Sequence, residues 1–140
     1  MSRSLRRTVR PAAYSFETGK APRQIRSDAR AVRRKDITDL ARDTWAKIWS
    51  EPMPGDWHVY LVRKTFIQER WGRAVCGVTL PHTRTILVGR NTGYYNFRTL
   101  VHELAHLRTL DEGAGHGPRW DHEFNGVARQ AFGAGLERNI

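Results

Sequence analysis

At 140 residues the chain has the size of one ordinary domain, and a hydrophobic content of 39% with five Trp, five Phe and four Tyr suffices for a core. Mean hydropathy is −0.63 and no run approaches the ~20 apolar residues of a membrane helix, which argues against a membrane protein. The opening MSRSLRRTVR has no apolar stretch behind its basic residues and so does not read as a secretory signal. The formal charge of +10 is unevenly held: residues 1–35 carry eleven Lys/Arg against Glu17 and Asp28, whereas residues 36–140 carry thirteen against twelve acidic side chains.

Residues 1–35 are polar, basic and interrupted by Pro11, Gly19 and Pro22, which predicts a flexible N-terminal arm ahead of a domain spanning 36–140. Such an arm suits a polyanion such as DNA, because each Lys/Arg that neutralises a phosphate releases a condensed counterion. Its Arg-rich, acid-poor character also fits a mitochondrial transit peptide, and the plain alternative is a solvated tail. Within the domain, Ile37, Leu40, Ala41, Trp45 and Ile48 recur at three- and four-residue spacing and predict a helix over Asp36 to Ser50, ended by Pro52, Pro54 and Gly55. Three strand-like runs follow, Trp57–Val62, Arg73–Leu80 and Thr83–Gly89, the last two close enough for an antiparallel hairpin turning at Pro81-His82. Asn91-Thr92-Gly93 breaks the last run. Asn96 is placed as the N-cap of a helix to about Leu110, with Phe97, Leu100, Val101, Leu104 and Leu107 or Arg108 as its buried stripe. Gly113, Gly115 and Gly117 form a turn. Pro118 then opens a last helix whose apolar face is Trp120, Phe124, Val127, Ala128 and Ala131. The predicted fold is a small α+β domain: an N-terminal helix, a three-stranded, mostly antiparallel sheet, and two further helices. Cys76, the single cysteine, reads as a small core residue of a strand, and a lone thiol fits a reducing compartment, the cytoplasm.

The second of these helices carries His102-Glu103-Leu104-Ala105-His106. Residues four apart on a helix share a face, so His102 and His106 can converge on one tetrahedral zinc ion. Glu103 is offset by about 100° from His102 and about 60° from His106, which directs it to a water at the metal rather than to the metal itself. Catalytic zinc commonly takes three protein ligands and keeps a fourth position open. His116, ten residues on among glycines, is the candidate third ligand, with Asp121, His122 and Glu123 as competitors. His58 and His82 have no spacing argument. Tyr94, Tyr95, Arg119 and His122 are candidates to stabilise an oxyanion. Asp111 and Glu112 read as solvated loop charges over the site.

His102-Glu103-Leu104-Ala105-His106 followed by Gly115-His116-Gly117-Pro118-Arg119-Trp120 resembles the SprT-like zinc metallopeptidases, whose HExxH is followed by a His-Gly-Pro-x-aromatic motif. The resemblance spans about residues 36–132. It implies a zincin-like domain, a Zn2+ cofactor, ligands His102, His106 and His116, Glu103 as general base, and a protein or peptide substrate. Well-known members cleave proteins crosslinked to DNA; many carry a zinc ribbon with paired cysteines, which a chain with only Cys76 cannot form. The expectation is therefore a cytoplasmic, monomeric metallopeptidase acting on peptide bonds, in part on DNA-associated proteins. The alternative is a nucleic-acid-binding protein with a structural or vestigial zinc site.

Overall fold

A computed structural model describes residues 34–90, 95–113 and 115–140; the arm up to residue 33, the Asn91-Thr92-Gly93 break and Tyr94 lie outside the described residues. The elements in order are strand β1 (Arg34–Asp36), helix α1 (Thr38–Trp49), β2 (His58–Arg63), α2 (Lys64–Trp71), β3 (Gly77–Leu80), β4 (Thr85–Arg90) and α3 (Asn96–Arg108). The last helix, α4, is α-helical over Pro118–Asp121, π-helical over His122–Ala128 and α-helical again over Arg129–Phe132.

The class is α+β, as expected, but the sheet has four strands rather than three and is mixed, in the order β1-β2-β4-β3. The hairpin of β3 and β4 is antiparallel, as is the β1–β2 pair, while the central pair, β2 and β4, is parallel in register from His58↔Thr85 to Arg63↔Arg90. Two differences from the sequence reading explain each other. Parallel neighbours cannot be joined by a tight turn, and α2, which the sequence reading left unassigned, lies in the crossover between them. Its periodic signal is slight because only Phe66 and Ile67 are buried. β1 consists of Arg34, Lys35 and Asp36, all exposed, so no apolar pattern announces it; pairing with β2 makes it a strand.

Both faces of the sheet are covered. Val59, Leu61, Ile86 and Val88 pack with α1, α3 and α4 in the larger core, while Val62, Leu87, Val78 and Leu80 pack with Phe66 and Ile67 of α2 in a smaller one. The period-two alternation of β2 and β4 assigns neighbouring residues to opposite cores. Of the predicted face, Ile37 is buried just before α1 and Leu40 is half-buried against the larger core, while α1 buries Ala41, Trp45 and Ile48. It ends at Ser50 in the left-handed conformation (φ 56°), before the prolines are reached. Cys76 is half-buried and precedes β3 rather than lying in it, and α2 ends at Gly72, whose φ of 117° suits only glycine.

α3 rests on the sheet through Phe97, Leu100, Val101 and Leu104, all fully buried. Asn96 is its first helical residue, not its cap. Its side-chain oxygen accepts from the Ile140 backbone N–H at 2.6 Å, and the Phe97 N–H donates to the Arg138 carbonyl at 3.0 Å. The chain's last residues thus satisfy a helix start that a local cap was expected to serve.

Candidate metal centre

His102 and His106 lie one turn apart on α3, and the loop from Gly113 to Gly117 returns His116 to them. His116 Nε2 is 3.2 Å from His102 Nε2 and 3.0 Å from His106 Nε2. Among the described residues these three form the cluster close enough to hold a metal ion. Zinc–nitrogen bonds of about 2.0–2.1 Å imply ligand-to-ligand edges of about 3.3 Å in a tetrahedral site, close to the two separations that His116 makes. The donors are also in the form a metal requires. Burial holds the His106 ring well below the usual imidazole range, reinforced by His102 and His116; His102 is lowered by burial and then by His116 and Arg98, and His116 by burial. Neutral imidazoles are the ligating species.

The competing third ligands are directed elsewhere. Glu123 accepts a hydrogen bond from Trp49 Nε1 at 3.2 Å and faces Arg108 Nε at 3.9 Å. Asp121 accepts from Asn125 at 2.8 Å, and both Asp121 and His122 are exposed. Of the oxyanion candidates, Arg119 is held by Asp111 at 2.8 Å and Glu112 at 3.2 Å, so these acids are ion-pair partners that tie the loop before His116 to the helix after it. Tyr95 is 52% exposed.

Glu103 is buried, and its position depends on β3. Thr79 donates its hydroxyl to Glu103 Oε1 at 2.8 Å, which leaves Oε2 turned toward the histidines, 4.0 Å from His102 Nε2. Gly77 makes the approach possible: a Cβ there would stand 2.8 Å from Thr99 Cγ2 and 3.1 Å from Glu103 Cγ. Burial pushes the Glu103 carboxyl up to about 8, with the Thr79 hydrogen bond pulling the other way.

Trp120 supports all three rings. Its ring lies 4.1 Å from that of His116, 4.7 Å from His102 and 5.4 Å from His106, centroid to centroid, and its Nε1 donates to the His102 carbonyl at 3.3 Å. Phe124 stacks beneath Trp120 at 5.1 Å, on the π-helical stretch. The sequence reading placed Trp120 and Phe124 on an apolar face, with Trp120 also the aromatic of the His-Gly-Pro-x-aromatic motif, and gave Gly77 and Thr79 no role. Gly77 and Thr79 are two apart in a strand and so share one of its faces, but their partner Glu103 lies 24 or more residues away. Comparison of the chain with protein-family models, with curated proteins and with solved structures found no match.

Proposed function

We propose that the chain is a zinc-dependent metallopeptidase that hydrolyses peptide bonds. The observation that carries this reading is the convergence of His102, His106 and His116 Nε2 beside the buried carboxylate of Glu103. Three imidazoles leave a tetrahedral ion one open position, as in catalytic sites, whereas structural zinc is closed by four ligands that are mostly Cys. When bound, zinc supplies Lewis acidity for a substrate carbonyl and lowers the pKa of water to about 7. Glu103, anchored by Thr79 at Oε1, takes a proton at Oε2 and returns it to the leaving amine, acting first as base and then as acid. The resemblance of the two histidine motifs to the SprT-like metallopeptidases supports the same reading, and the basic residues 1–35 support nucleic-acid-associated proteins as substrates. The single cysteine fits a cytoplasmic protein, and no described helix is long and apolar enough to cross a membrane.

Metal content and cleavage of an unfolded protein substrate, measured on wild type, His116→Ala and Glu103→Gln, test the proposal. Wild type and Glu103→Gln are expected to hold one zinc per chain and His116→Ala much less; hydrolysis is expected to fall at least about 100-fold in Glu103→Gln. Unchanged hydrolysis by zinc-loaded Glu103→Gln refutes the mechanism, and full zinc retention in His116→Ala refutes the ligand set. The charge of residues 1–35 favours one second reading, a nucleic-acid-binding protein with a structural or vestigial zinc site, which predicts zinc without hydrolysis in wild type.

A further inference from the structure

The three histidines are not held alike. His102 and His106 stand on α3, whose Leu100, Val101, Leu104 and Ala105 are fully buried, so the core fixes both. His116 is exposed and lies in the loop between α3 and α4. A Cβ at Gly113, Gly115 or Gly117 would meet nothing within 4 Å beyond its chain neighbours, so the loop faces open space at all three positions. Trp120 stacks on the His116 ring at 4.1 Å and reaches α3 through its bond to the His102 carbonyl. A second, ionic link crosses the base of the loop.

The acids of that link are fixed to α3. The Thr109 N–H donates to the Ala105 and His106 carbonyls, and the Thr109 carbonyl accepts from the Glu112 N–H at 3.0 Å, which sets Asp111 and Glu112 on a 3-10 turn at the end of α3. The cation is fixed to α4: the Asp121 N–H donates to the Gly117 carbonyl at 2.9 Å and places Arg119 in the first turn of that helix. Arg119 Nη1 donates to Asp111 Oδ2 at 2.8 Å and to Glu112 Oε2 at 3.2 Å. The helix that carries two histidines is thereby joined to the helix that follows the third. The three side chains are 50%, 70% and 42% exposed, and ion pairs so exposed contribute little to fold stability. Closing the loop instead narrows the positions open to His116, and a ligand ordered in advance costs less to bind.

We propose that Arg119, clasped to Asp111 and Glu112, is a positioning residue of the metal centre: it holds His116 against His102 and His106 before an ion binds, and so sets how tightly the ion is held. The proposal rests on the three-histidine centre of the preceding subsection but not on hydrolysis.

The test measures zinc affinity of the full chain by competition with a chelating indicator at low salt. Arg119→Gln opens the clasp from α4 and Asp111→Asn/Glu112→Gln opens it from α3; each should weaken zinc binding about three- to tenfold. The charge-reversed Arg119→Glu/Asp111→Lys/Glu112→Lys should regain most of that loss. In a His116→Ala background Arg119→Gln should change affinity less than about twofold, because no third ligand is left to position. The gap between wild type and Arg119→Gln should narrow in about 1 M NaCl, where charges are screened beyond about 3 Å. Opposite shifts, with Arg119→Gln tighter and the acid variant weaker, mean that the charges act on the ion through space and overturn the proposal. Equal affinities in all the variants overturn it, as does an undiminished loss in the His116→Ala background. A wild type that binds no zinc defeats the metal centre and the clasp with it, whereas zinc-binding wild type with unresponsive variants defeats the clasp alone.

Discussion

Glu103→Gln should stabilise the metal-free protein in alkaline solution. Glu103 is 5% exposed, and burial raises its carboxyl from an ordinary 4.5 to about 8. A carboxyl whose folded pKa is raised binds its proton more tightly in the folded state. It costs nothing below pH 4.5, costs progressively more as pH rises from 4.5, and costs the full amount above about 8. At 1.36 kcal/mol per pH unit, that interval corresponds to a penalty on the order of 5 kcal/mol. Glutamine keeps the shape and an oxygen that can accept from Thr79, but carries no charge to bury. Urea denaturation with a chelator present, at pH 5, 6.5, 8 and 9, measures the difference. The variant should match wild type near pH 5 and exceed it by several kcal/mol at pH 9. The three histidines, with their lowered folded values, destabilise both proteins alike as pH falls below 6.5, so they cancel in the comparison. Parallel stability curves for the two proteins between pH 5 and 9, or a variant less stable than wild type at pH 9, would refute the reasoning. A zinc ion restored at the histidines should erase most of the difference by stabilising the carboxylate.

Gly77→Ala should cost about 1–3 kcal/mol by overpacking, since its Cβ would meet Thr99 Cγ2 at 2.8 Å. In a domain near 100 residues this lowers Tm by about 4–8 °C per kcal/mol, and adding Thr99→Ser, which deletes that methyl, should recover much of the loss; no recovery in a circular-dichroism melt counts against the close approach of β3 and α3. Trp120→Phe keeps a ring beneath His116 but removes the Nε1 bond to the His102 carbonyl, so zinc affinity should fall about tenfold in a competition titration while the fold persists. Unaltered affinity would show that Trp120 packs against the histidines without orienting them.

The sequence by itself determined whatever short-range spacing encodes. The faces of α1 and α3 follow from apolar residues three and four apart, and His102 and His106 share one side of α3 because of that same period, with Glu103 turned about 100° from His102. Pro118 opens α4 as its fixed φ predicts, and the glycines before it give the chain the freedom to bring His116 back. What only the tertiary structure decided depends on partners distant in the chain. β1 is a strand because β2 lies beside it, β2 and β4 are parallel because α2 lies in the connection between them, and Asn96 serves Ile140 instead of capping its own helix. That His116 lies against His102 and His106 while Glu123 is held by Trp49 and Arg108 depends on where the loop and α4 direct their side chains, which spacing does not encode. Thr79 and Gly77 have no motif: a threonine and a glycine in a strand acquire roles only when a helix 24 residues later is pressed against them, because hydrogen bonds and steric contacts are set by distance in space and local patterning by distance along the chain.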